Sequence, residues 1–91
     1  MIRKDDATWI LEQLEQLASK LGISVRYELL GGPDSELYLR SGTCRLRGRQ
    51  LIIIDRHQPR EEQCRALAAE LKRFDLSKIF IAPAIRGLLE E

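Results

Sequence analysis

The chain has 91 residues, 44% of them hydrophobic and 32% charged, and its 15 basic and 14 acidic side chains leave a net charge of +1. This length suits one small domain over residues 1–91, and the composition excludes a disordered chain. The overall charge predicts no polyanionic partner, and no apolar run approaches a membrane-spanning length of about 18 residues. No secretion signal is read at the start, so a cytoplasmic protein with two reduced thiols is expected.

In chain order, DDATWILEQLEQLASKLG comes first. Ile10, Leu14, Leu17 and Leu21 recur at three- and four-residue steps, with Leu11 and Ala18 widening the stripe. Polar residues fill the other face, which predicts an amphipathic helix. Asp5 or Asp6 can cap its start, Gly22 can take the left-handed stop, and Trp9 is expected at the core edge.

Ile23, Val25, Tyr27 and Leu29 then alternate with Ser24, Arg26 and Glu28, the pattern of a half-buried strand. GGPD is a turn signal. A second strand is expected to carry Leu37, Tyr38 and Leu39, bend at Ser41–Thr43 and continue through Cys44 and Leu46. Gly48 falls where a tight hairpin would turn.

The run Leu51 to Ile54 is continuously apolar and predicts burial on both faces. A helical layer covers one face, and the other would have to meet the C-terminal segment or another molecule. Pro59 suits the first position of a second helix, whose buried stripe is Cys64, Leu67, Ala68 and Leu71. Ile79 to Ile81 reads as a short strand or a helical turn. Pro83 can open a last short helix bearing Ile85, Leu88 and Leu89.

These elements give an α+β two-layer domain in the order helix–strand–strand–strand–helix–short C-terminal helix. Sequential strands with short turns predict a small antiparallel sheet with helices mainly on one face.

The chemistry-bearing residues are few. Cys44, His57 and Cys64 are spaced C-x12-H-x6-C, which is no zinc signature, so neither metal nor cofactor is expected. The cysteines read as small buried hydrophobes, and one histidine without a triad motif gives no catalytic residue. Between Arg40 and Arg60 six arginines face one acid, Asp55. Arg45, Arg47 and Arg49 alternate, so on one strand they would share a face able to grip phosphates, with Arg40 and Arg56 nearby and Tyr38 the one adjacent aromatic.

The stretch LAAELKR, Leu67 to Arg73, sits on a helix just after an apolar strand, with another helix upstream. It resembles the L-A-H-E-L-G-H helix of compact H-E-x-x-H zinc metallopeptidases. The resemblance implies that Glu70 stands where that family has its general base, and that Ala69 and Arg73 replace both zinc-binding histidines. It therefore implies a stripped-down, non-catalytic relative.

The functional expectation is a small non-enzymatic interaction domain that self-associates or binds a protein partner, not a membrane. Its apolar interface would be Ile52, Ile54, Phe80, Ile81 and Ile85. The alternative is nucleic-acid binding through the Arg45, Arg47 and Arg49 hairpin.

Overall fold

The computed structural model describes residues 6–28 and 42–90, with only the backbone of 42–46. The expected strand at Leu37–Leu39, the GGPD turn, Tyr38 and Arg40 lie outside the described residues.

Helix α1, Ala7–Lys20, buries Ala7, Leu11, Leu14, Leu17 and Ala18, the leucine stripe. Asp6 is its N-cap but makes no side-chain cap bond. Gly22 stops it at φ +76°, a value open to glycine without a Cβ penalty, and Ile23 N–H returns to Ala18 O at 2.9 Å. Trp9 does not seal the core edge; it is 47% exposed.

Among the described residues three strands follow: β1 Ser24–Glu28, β2 Gly42–Leu46 and β3 Arg49–Asp55. Their order in the sheet is β1-β3-β2. β2 pairs antiparallel with β3, from Gly42↔Ile53 to Leu46↔Arg49. β1 pairs parallel with β3, from Ser24↔Leu51 to Glu28↔Asp55. The sheet is therefore mixed, not antiparallel as expected. The reason lies in β3 itself. Its LIII run is apolar on both faces, so the stable place for it is the centre, with both hydrogen-bonding edges filled.

Alternation along β3 sends Ile52 and Ile54 to one face and Leu51 and Ile53 to the other. Ile52 and Ile54 are fully buried in the core, against α1 and the later helices, with Val25 and Tyr27 packed beside them. Leu51 and Ile53 are 7% and 9% exposed and lie outside that core.

Helix α2, Arg60–Leu71, starts one residue later than Pro59 would allow at a first helical position; Pro59 is its N-cap. Cys64, Leu67, Ala68 and Leu71 form the buried stripe. Residues 72–82 are irregular, so Ile79 to Ile81 is neither strand nor helix. Asp75 Oδ1 accepts from Ser77 N–H at 3.0 Å and Ser77 Oγ at 2.6 Å, which turns the chain and holds the Asp75 carboxyl below its ordinary pKa. Helix α3, Pro83–Leu89, opens on its proline and buries Ile85 and Leu89. Ile81, Ile85 and Leu89 join the same core as Ile52 and Ile54. The C-terminal segment thus thickens the helical layer and does not cover the second sheet face.

Candidate functional site

Arg47 at φ 52° and Gly48 at φ 80° form the two-residue turn between β2 and β3. Positive φ at both positions matches the right-handed twist of a hairpin, and glycine bears it at no steric cost. Arg47 carries a side chain in this region, which is uncommon outside Asn and Asp.

This turn breaks the expected arginine row. Arg47 sits at the tip, Arg49 opens β3 opposite Leu46, and Arg45 is in register with Gln50, one place out of step with Arg49. Another residue takes the vacant role. Arg26 on β1 is in register with Ile53, and Ser24 with Leu51. Alternation therefore puts Ser24, Arg26, Arg49 and Leu51 on one sheet face. An open concavity of about 450 Å³ lies there, lined among the described residues by Ser24, Arg26, Arg47, Arg49, Gln50 and Leu51. Arg26 was missed because its partner in register is 27 residues away, and no local pattern reports a parallel pairing.

Among the described residues the lining contains three guanidiniums, a hydroxyl, an amide and one apolar floor residue, with no carboxylate. Arg26 Nε is 4.0 Å from Glu28, both side chains more than half exposed. Among the described residues, Arg47 and Arg49 make no ion pair. Water screens the mutual repulsion of such exposed cations, so their gathering costs little until an anion arrives.

Arg56 is elsewhere. It is exposed on the loop from β3 to α2, where its N–H donates to Glu28 O at 2.9 Å, and it lines a second groove beside α1.

The thiol and imidazole do not form a reactive pair. Cys64 is fully buried and its Sγ lies 3.3 Å from Ala7 O, to which the S–H donates. Burial, and then the charge of Glu61, push its pKa from an ordinary 9.0 to about 11, so the thiol stays protonated at neutral pH. His57 is exposed; its N–H donates to Asp55 Oδ1 at 3.0 Å and its ring Nδ1 is 3.7 Å from the same oxygen. Among the described residues no three His, Cys, Asp or Glu side chains converge as metal ligands.

The expected apolar interface is mostly interior. Ile52 and Ile54 are 0% exposed, Ile81 8% and Ile85 3%, because they are the helix-side core. Only Phe80, at 82%, faces solvent. In LAAELKR, Ala69 and Arg73 are exposed, and the Glu70 carboxylate is 3.7 Å from Arg73 Nη1.

Comparisons with protein families, with curated proteins and with solved structures find no match for this chain. No helix among the described residues is long and apolar enough to cross a membrane.

Proposed function

We propose that this chain is a non-enzymatic interaction domain whose partner is the phosphate backbone of a nucleic acid, held at the hairpin end of the sheet. The observation that carries this reading is the concavity that gathers the guanidiniums of Arg26, Arg47 and Arg49, with no carboxylate among the described residues of its walls. Guanidinium forks match phosphate oxygens in geometry, and an open concavity suits a strand passing through it better than an enclosed small molecule. Guanidinium contacts to phosphate position a strand without reading its bases, so recognition through these three arginines would be independent of sequence. The non-enzymatic part rests on the protonated, buried Cys64 thiol. It also draws on the resemblance of LAAELKR to the metallopeptidase helix, which implies Ala69 and Arg73 in place of both imidazoles.

The test is fluorescence anisotropy with a labelled mixed-sequence oligonucleotide over a range of salt. Three phosphate contacts predict a slope of log K against log salt of about −2.7 on duplex and about −2.1 on a single strand. From about 50 mM to about 200 mM salt, duplex affinity should fall about 40-fold. Each of Arg26→Ala, Arg47→Ala and Arg49→Ala should flatten the duplex slope by about 0.9. Absence of binding at low salt, or binding indifferent to all three substitutions, removes the reading.

A second reading, self-association or docking of a protein, keeps one observation: the isolated, 82% exposed Phe80. It predicts a concentration-dependent sedimentation coefficient that Phe80→Ser abolishes. A monomer at all concentrations eliminates the self-associating form.

A further inference from the structure

Among the described residues β1 is an outermost strand of the sheet, whose order is β1-β3-β2. Its two edges differ. Glu28 O accepts from Arg56 N–H at 2.9 Å, just past the end of β3, so the Glu28 backbone faces β3. In a strand the N–H and C=O of one residue point the same way, and those of the next residue point the other way. Ser24 and Arg26 therefore face β3 as Glu28 does. The N–H and C=O groups of Val25 and Tyr27 point to the outer edge. Such an edge is a template for a further strand.

The side chains decide whether a second copy of this strand fits. Ser24, Arg26 and Glu28 are exposed on one sheet face, while Val25 and Tyr27 pack against the core. Arg26 Nε lies 4.0 Å from Glu28 Oε1, with both side chains more than half exposed. An edge charged with one sign repels its own copy. This edge carries one charge of each sign, with Tyr27 midway between them.

A two-fold axis normal to the sheet sets β1 antiparallel to its copy. An axis at Arg26 opposes Arg26 to Arg26, like charge on like. An axis at Val25 opposes Arg26 to Ser24 and makes no ion pair. An axis at Tyr27 opposes Arg26 of each copy to Glu28 of the other. The backbone favours the same axis. Tyr27 faces outward, so it and its copy exchange both N–H···O bonds. The pairs on either side are then non-hydrogen-bonded ones, with Cα atoms about 4.5 Å apart, where facing side chains come closest. The Tyr27 ring stays on the helix side, where its Oη donates to Glu15 Oε1, so the contact leaves the core as it is.

We propose that two copies of this chain join edge to edge through β1, antiparallel about Tyr27, closed by reciprocal Arg26–Glu28 pairs. This deepens the self-association reading and assigns it to a surface that does not include Phe80. It does not depend on nucleic-acid binding.

The experiment is sedimentation equilibrium of the full chain up to about 1 mM, with Arg26→Glu and Glu28→Arg. The wild type should dimerise. Each variant turns both cross-strand pairs into like charges and should weaken the dimer about tenfold or more. An equimolar mixture of the two variants should recover it, because each then meets opposite charges on the other. Loss of fold could not produce that recovery. Amide exchange on the wild type needs no substitution: Tyr27 N–H should gain protection as concentration rises, whereas Arg26 N–H, facing β3, should not change. A monomer throughout, or variants that fail to recover on mixing, overturns the proposal. A dimer kept by both charge variants but lost in Phe80→Ser overturns the β1 edge and leaves the Phe80 surface standing.

Discussion

Gln63→Ala tests whether the loop between β3 and α2 is held by one side chain. Gln63 is 7% exposed, the one buried polar side chain among the described residues. Its Nε2 lies 3.1 Å from Gln58 O and 3.4 Å from both Asp55 O and Arg56 O. One amide has two N–H groups, so three carbonyls share two protons. The contact to Gln58 has ordinary length, and the other two lie at the outer limit, so together they amount to between one and two full bonds. A net bond contributes about 1 kcal/mol, and a carbonyl left without a partner costs about as much again, so the loss should be about 2 kcal/mol. For a domain of this size that lowers Tm by about 10 °C. Gln63→Glu sharpens the test, since a carboxylate has no proton to give and turns its charge on three carbonyl oxygens. It should be worse than alanine at neutral pH and recover part of the loss in acid, when the carboxyl gains a donor. Urea denaturation followed by circular dichroism at pH 7 and pH 4 measures both. A Gln63→Ala protein within about 0.5 kcal/mol of wild type, or a Gln63→Glu protein as stable as wild type at pH 7, would refute the reasoning.

Alkaline stability should report Cys64. Its folded pKa is raised, so its contribution is fully present below pH 9 and is lost as pH rises toward about 11, where the unfolded thiol ionises first. The loss amounts to about 2–3 kcal/mol, and Cys64→Ala should show a correspondingly flatter profile between those limits in denaturant titrations. Arg47→Asn should oppose stability to binding: relief of the left-handed arginine adds up to about 1 kcal/mol, whereas loss of one phosphate contact flattens the duplex salt slope by about 0.9. A variant changed in neither stability nor slope would show that the Arg47 backbone and side chain are both idle.

Local pattern carried much of the fold. The leucine stripe of α1, the apolar face of α2, the proline that opens α3 and the hairpin at Gly48 are each written in fewer than twenty consecutive residues, and each is found where the pattern put it. Strand order is not local. Adjacency in sequence favours an antiparallel meander, but it does not weigh the doubly apolar β3 against its neighbours for the central place. The same gap explains the candidate sites. Arg45, Arg47 and Arg49 look like one row only if no turn falls among them, and Arg26 joins Arg49 only through the parallel register. The apolar tail reads as surplus surface until α3 is seen to lay Ile85 and Leu89 into the core that Ile52 and Ile54 already occupy.

The central place of β3 also bears on the order of assembly. The β2–β3 hairpin joins residues from 3 apart, Leu46 and Arg49, to 11 apart, Gly42 and Ile53, so its loop closes at small entropic cost. β1 leaves the ribosome before either strand, yet its parallel partner lies 27 residues downstream, and the core that covers α1 draws on residues as late as Leu89. The native partners of the N-terminal third thus lie in the C-terminal half. Contact order therefore predicts assembly against the direction of synthesis, from the hairpin with its following helix back to α1 and β1. Substitutions in the hairpin should then slow refolding, while a truncation at Val25 should mainly speed unfolding.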